Sequence, residues 1–251
     1  MPMNPARMTP NMRVLRDEYG FDTLLARRQL LAHARRICGK DVLDIGAGCG
    51  GMAIVLAENG FRVVSVDIDP SSLRYARRRA SKAGARTSRR ICFMRADAVR
   101  LPFPAGAFDA VLSFGSMHHM PDCRQVIEEM VRVCKRTGVL AIADLNRRGL
   151  AAVRTENARH GHTHDENECR MSAIGRILGN GELRVRRHDL EFVTVYIARL
   201  RPWPGGKGCG RDGPLARAGR PRKSRRVNRQ DNAAVRAGRG RQDRRALTGV
   251  L

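Results

Sequence analysis

Three aspartates and a run of glycines stand at spacings that suit the binding of a small polar ligand. Asp44-Ile-Gly46-Ala47-Gly48-Cys-Gly50 lies between an apolar, strand-like run and a helix-like one. Glycines at such a junction make a tight turn and admit a ligand close to the backbone, beside the positive end of a helix. Gly46, Gly48 and Gly51 also satisfy the G-x-G-x-x-G spacing of a dinucleotide site; a glycine-rich turn that holds no ligand is the plainer alternative. Asp67 follows Gly46 by 21 positions, at the end of a second apolar run, where a carboxylate can accept from ribose hydroxyls. Its alternative is a helix cap, for which Asp69 is better placed. Asp97 follows a third such run, at the edge where sheets of this kind bind ligands. Asp44 precedes the first glycine by two residues. A carboxylate there suits a cationic amino group and would repel a pyrophosphate.

His118 and His119 follow a fourth apolar run, Phe108 to Phe114, and are candidates for a general base. One of the two is expected to face the pocket; the alternative is a packed or capping histidine. Asp144 and Tyr19 are further candidates. His160, His162, His164, Glu168 and Cys169 alternate in a manner that could bind zinc. Their spacing matches no closed structural site, so a solvated loop is the favoured reading and no metal is assigned.

The elements that must position these residues alternate. Arg13 to Ile37 reads as one helix ended by Gly39, with Leu24, Leu25, Leu30, Leu31 and Ala34 at helical spacings. Strands are expected at Asp41–Ile45, Phe61–Ile68, Ile91–Met94, Phe108–Phe114 and Val139–Ala143, with helices at Met52–Asn59, Pro70 to Ala83 and Arg124–Lys135 between them. Short apolar strands separated by helices indicate a parallel sheet covered on both faces. After Leu150 a polar loop is expected to lead to a helix at Met171–Leu178. Two strands near Leu183–Arg187 and Phe192–Ala198 then form an antiparallel hairpin at the sheet edge.

Composition bounds the function. No apolar run approaches the ~20 residues of a membrane-spanning helix, and Met1 to Arg16 lacks the apolar core of a secretory signal, so a cytoplasmic protein is expected. Aromatic residues make up 4% of the chain, too few for an extended base-stacking surface. The seven cysteines form no C-x-x-C pair, and reduced, buried thiols are expected for most of them. The formal charge of +24 is unevenly spread: residues 201–251 hold 15 Lys plus Arg against three acids. That stretch is rich in Arg, Gly and Pro and lacks apolar periodicity, so it is expected to be disordered. The expected organisation is a flexible start at 1–12, one domain at 13–200 and a basic tail at 201–251.

Val42-Leu-Asp-Ile-Gly-Ala-Gly-Cys-Gly50, Val66-Asp-Ile-Asp-Pro70, Arg95-Ala-Asp97, Leu101-Pro-Phe-Pro104 and Phe108-Asp-Ala-Val-Leu-Ser-Phe-Gly-Ser-Met-His-His-Met-Pro-Asp122 occur in that order. Over residues 13 to 200 the chain resembles class I S-adenosylmethionine-dependent methyltransferases, in particular the group that includes the ubiquinone and menaquinone C-methyltransferases. The resemblance implies an α/β, Rossmann-like fold with a mostly parallel seven-stranded sheet, helices on both faces and an antiparallel edge strand. It implies S-adenosyl-L-methionine as cofactor and methyl transfer by in-line displacement. Carried over to this chain, Gly46, Ala47, Gly48 and Gly50 pass under the methionine part, near Asp44. Asp67 holds the ribose, Ile68 packs on the adenine, Asp97 and Ala98 meet the adenine amino edge, and Ser113 to Met117 face the transferred methyl.

One departure stands out: Arg132-Val-Cys-Lys-Arg-Thr-Gly138 has Arg136 and Thr137 where such proteins usually carry Pro-Gly. A less pre-set turn is expected there, with the cofactor site retained. These motifs specify the cofactor and leave the acceptor open; a small molecule is favoured. An RNA or protein acceptor is the alternative, with nucleic acid reached only through the basic tail. Neither the Asn/Asp-Pro-Pro-aromatic signature of base-amino methylation nor a Pro-Cys pair for cytosine carbon is present. A non-catalytic or NAD-type nucleotide-binding protein is the remaining alternative, its NAD version opposed by Asp44 and Asp97.

Overall fold

A computed structural model of the chain describes residues 10–34, 37–161, 171–179 and 183–200. Its frame is a seven-stranded sheet built from β1 (Asp41–Ile45), β2 (Arg62–Asp67), β3 (Ile91–Arg95), β4 (Phe108–Phe114), β5 (Cys134–Leu145), β6 (Leu183–Asp189) and β7 (Val193–Leu200). The spatial order is β3-β2-β1-β4-β5-β7-β6. Strands β1 to β5 pair in parallel, while β7 runs antiparallel to both β5 and β6. The chain order reverses between β1 and β4, the place at whose carboxyl edge sheets of this kind bind ligands.

The helices are α1 (Pro10–Tyr19), α2 (Thr23–His33), α3 (Gly51–Glu58), α4 (Pro70–Lys82), α5 (Ala85–Ser88), α6 (Cys123–Val133), α7 (Arg147–Arg159) and α8 (Met171–Gly179). Residues of α1, α2, α3 and α7 bury one face of the sheet around Leu30, Leu56, Leu112 and Val195; α6 and α8 bury the other around Leu43, Val111, Met130 and Ile174. The central strands are buried on both faces, as their continuous apolar runs require. Asp69 caps α4 through Ser71 N and Ser72 N, with Pro70 in the first turn.

Four expectations change. The lead-in is two helices: Gly20 adopts φ +72° and Asp22 accepts from Leu24 N and Leu25 N, ending one helix and starting the next. Gly39 lies beyond the end of α2 and serves instead to let the Asp109 carboxylate approach, 2.2 Å from where a Cβ would stand. The segment after Leu145, expected as a polar loop from Leu150, is helix α7, capped by Asn146 through Arg148 N and Gly149 N. Its inward positions Gly149, Ala152, Val153, Glu156 and Asn157 follow helical spacing, but the last two are polar and break the apolar pattern. Finally, β5 begins directly at Cys134, and the chain turns tightly inside it: a Cβ on Gly138 would stand 2.5 Å from Cys134 Sγ and 2.8 Å from Lys135 O. The register with β4 shifts between Phe108 and Ala110, so the residues that depart from the usual turn are absorbed as a bulge within the strand.

The expected tail, 201–251, and the start, 1–9, lie outside the described residues. No helix among the described residues is long and apolar enough to cross a membrane. Cys49 and Cys134 are buried thiols, but Cys38 and Cys92 are exposed, and Cys123 is disulfide-bonded, contrary to the reduced, buried state expected for most of the cysteines.

Candidate active site at the carboxyl edge of the sheet

Asp44, near the end of β1, is fully buried. Its Oδ2 accepts from Ser65 Oγ on β2 (2.7 Å), while Oδ1 is buried with no hydrogen-bond partner. Burial pushes the carboxyl up to about 7; the Ser65 bond and the nearby charge of Arg27 act in the opposite sense, and Asp67 adds to the rise. That oxygen lacks the partner that buried polar groups ordinarily have.

The glycine turn follows. Gly46, Gly48 and Gly50 all have positive φ, and Gly46 N and Ala47 N both donate to Val66 O at 2.9 Å. Gly46 was expected to let a ligand approach; the group that approaches is Ser116, whose Oγ lies 2.3 Å from where a Cβ would stand. Ser116 Oγ donates to Ile45 O (3.1 Å) and meets Ser113 Oγ at 2.8 Å, tying the end of β4 to the turn. Ser113 is fully buried, and Gly50 lies close against Ala76 of α4.

Asp67 braces the same turn: Gly48 N donates to its Oδ2 (2.8 Å) and Asp69 N to its Oδ1 (3.0 Å). Each oxygen keeps a lone pair for a further donor. Ile68 beside it is 60% exposed. Asp97 is exposed and makes a local turn with Val99 N (3.1 Å), while Ala98 is buried.

Arg27 was missed in the sequence, where it read as one of several arginines on an amphipathic helix. It projects from α2 to the start of α3: its Nε would stand 2.8 Å from a Cβ on Gly51. The guanidinium lies over the Phe114 ring (4.5 Å) and donates from Nη1 to Thr23 O (2.9 Å), but its Nε is buried with no hydrogen-bond partner. Burial lowers its pKa from the ordinary arginine value. The available signal was an arginine facing the same way as buried Thr23, Ala26 and Leu30.

The two histidines part company. A short 3₁₀ turn, Met117–His119, buries His118 and exposes His119, with their rings 3.9 Å apart. His118 Nδ1 meets Asp144 Oδ1 at 2.6 Å, and its backbone N donates to Asp144 Oδ2 at 3.0 Å. Leu145 N also donates to Asp144 Oδ1 (2.7 Å). His118 and Asp144, separate candidates in the sequence, therefore form one buried pair. Tyr19 Oη, Thr23 Oγ1 and Glu156 Oε2, on α1, α2 and α7, are buried without hydrogen-bond partners. Of the alternating histidine cluster, His160 Nε2 bonds Glu156 Oε1 (3.1 Å); His162, His164, Glu168 and Cys169 lie outside the described residues.

Residues 43–142 match a family described as "Methyltransferase domain". Over this segment, two fifths of the chain, it is similar to a methyltransferase domain. Over 112 residues it is 41% identical to the methyltransferase GfsG of Streptomyces halstedii, 44% of this chain and 40% of that one. Over 107 residues it is 40% identical to 27-O-demethylrifamycin SV methyltransferase of Amycolatopsis mediterranei, 42% of this chain and 39% of that one. Over 128 residues it is 35% identical to demethylmenaquinone methyltransferase of Thermus thermophilus, 50% of this chain and 56% of that one. The match thus spans about two fifths of the length of the first two relatives. In fold, the chain is similar to a solved methyltransferase from Aquifex aeolicus (TM-score 0.56, 19% identity, 78% of this chain and 98% of that one). It is also similar in fold to the cyclase SpnF (TM-score 0.57, 16% identity, 70% and 81%).

Proposed function

We propose that this methyltransferase domain binds S-adenosylmethionine at the glycine turn and serves methyl transfer to a small-molecule acceptor. The observation that carries the reading is the pair Asp44 and Arg27: one buried carboxylate and one part-buried arginine with a buried Nε at a single glycine turn, each with an unsatisfied atom. Together they match the ammonium and carboxylate of an amino acid, which is the methionine end of the cofactor. Asp44 would receive the ammonium, Arg27 the carboxylate, and the backbone of Gly46 to Gly50 would pass beneath. Asp67 has lone pairs left for the ribose hydroxyls, exposed Ile68 would cover one face of the adenine, and Asp97 with Ala98 would meet its amino edge. Ser113 to Met117 would wall the reacting end.

When bound, the cofactor supplies a sulfonium-activated methyl group, so the protein's part is alignment and exclusion of water. His118 is the group that would take a proton from an acceptor. With Nδ1 donating to Asp144, Nε2 would be the atom that takes the proton. The unsatisfied hydroxyls of Tyr19 and Thr23 favour an acceptor with polar groups. Relatives named for rifamycin and menaquinone precursors favour a small molecule over RNA or protein.

The same fold in a cyclase means the fold alone does not fix the reaction, so the test separates binding from turnover. S-adenosylmethionine should raise the melting temperature of the full chain where NAD does not, and labelled methyl should then move to a compound in a host extract. Stabilisation by NAD alone would overturn the cofactor assignment; cofactor binding with no labelled product in any extract would overturn the transferase assignment.

A further inference from the structure

The excess charge of residues 1–200 is concentrated in one place. Residues 1–200 hold 33 Lys plus Arg against 21 acids, and residues 70–100 alone hold ten against one. That stretch is α4, α5 and β3, at the β3 edge of the sheet. Leu73, Ala76 and Ala80 are the buried face of α4, while Arg74, Arg77, Arg78 and Lys82 are exposed. They stand at i, i+3, i+4 and i+8, so they form one row spanning about 12 Å at 1.5 Å per residue. Arg86 and Arg89 continue the exposed charge beyond it.

The like charges of the row oppose one another along the helix. Like charges at i and i+4, as in Arg74 with Arg78 and Arg78 with Lys82, destabilise a helix. Among the described residues no carboxylate pairs with any of these six side chains. Arg74 donates to Ser71 Oγ (2.9 Å) and Arg77 to Phe93 O (2.7 Å), neutral oxygens that leave the charge uncompensated.

We propose that the outer face of α4 and the turn after it is a docking surface for a single nucleic-acid strand, held through its phosphates. Guanidinium groups match phosphate with a planar fork, and five of the six cations here are arginines. Tyr75 stands exposed beside the row with Arg78 over its ring at 6.0 Å, offering a face on which a base can stack. A membrane surface is disfavoured because the apolar side of α4 is turned into the protein, leaving no apolar face to enter lipid. The surface is separate from the cofactor residues, and it puts nucleic-acid binding on the folded domain, where the sequence had suggested only the tail.

The test measures binding of the full chain to a single strand of about 20 nucleotides, as RNA and as DNA, between about 50 and 200 mM salt. A variant with Arg74→Gln, Arg77→Gln, Arg78→Gln and Lys82→Gln should bind about tenfold more weakly. The slope of log affinity against log salt should become shallower by roughly 2 to 3, at about 0.7 for each phosphate no longer neutralised. A matched variant with Arg222→Gln, Lys223→Gln, Arg225→Gln and Arg226→Gln separates the tail's share. Preference for RNA or for DNA identifies the strand, and either result supports the proposal. The proposal is overturned if the α4 variant keeps its affinity and slope, if neither strand binds, or if phosphatidylserine vesicles or polyglutamate bind more tightly than both strands. Should the α4 variant fail to fold, photocrosslinking of the unaltered chain to a thiouridine strand decides. A crosslinked peptide containing Tyr75 supports the surface, and crosslinks confined to other peptides overturn it.

Discussion

Asp44 and Asp144 are both buried carboxylates near the carboxyl ends of strands that flank β4, yet they are in opposite states. Asp144 is satisfied from within: His118 N, His118 Nδ1 and Leu145 N reach its two oxygens. Asp44 has one donor, Ser65, and one oxygen with none. A polar group satisfied by the protein builds the protein; one left short points to a ligand. Under the proposed function, the Asp144 side of the sheet edge is pre-formed machinery and the Asp44 side a receptor, with Arg27 as its opposite pole.

The comparison can be broken at several points. The largest expected effect is on turnover: His118→Ala should lower it roughly 10²–10⁴-fold, the range for loss of a general base, with cofactor affinity unchanged. Asp144→Asn should act in the same direction by loosening the ring, with a changed pH profile. Full activity in both would reduce the pair to a structural clamp. Next is affinity: Asp44→Asn keeps the shape but removes the charge, and should cost roughly 1.5–3 kcal/mol of cofactor binding, the scale of a hydrogen bond to a charged group. Arg27→Gln should weaken binding by about tenfold. Calorimetric titration of the two variants measures both, and an unchanged affinity for either removes that pole.

A smaller effect concerns the ligand-free protein. The Asp44 carboxyl rises from 3.8 to about 7 on folding, so its contribution to stability is complete below about pH 4 and is lost as pH rises towards 7. Asp44→Asn should flatten that part of the pH–stability curve and melt higher than the parent at about pH 8. The smallest effect is chemical: exposed Cys92 should alkylate readily, whereas Cys134, buried and with its thiol pushed up to about 12, should not react until the chain unfolds.

The grouping of residues around the glycine turn was legible in the sequence because its geometry is local. Asp44, the glycines, Asp67 and Ile68 lie on strand ends and the turns after them, where residue type and spacing carry the meaning. The other side is assembled from distant segments. His118 and Asp144 are 26 positions apart, and their union depends on β4 and β5 lying side by side. Helix α7 was hidden because its inward face includes Glu156 and Asn157, so apolar periodicity alone cannot find it; the Asn146 cap was the remaining signal. Arg27 was hidden for the opposite reason, a charged residue on a helix being ordinarily a solvated one. The concentration of charge on α4 and β3 was present in the sequence but overshadowed by the more strongly basic tail.

The central claim, that Asp44 awaits a cationic group, has one direct measurement. S-adenosylmethionine is titrated into the full chain at about pH 6 in two buffers of different ionisation heat. With an Asp44 pKa of about 7, the free carboxyl is protonated in about nine molecules of ten and must ionise to receive the ammonium. Binding should therefore release about 0.9 proton, and Asp44→Asn should bind more weakly and release none. Tight binding whose heat is the same in both buffers, or a proton release that survives in Asp44→Asn, would contradict the assignment of Asp44 as the receptor of the cofactor's ammonium.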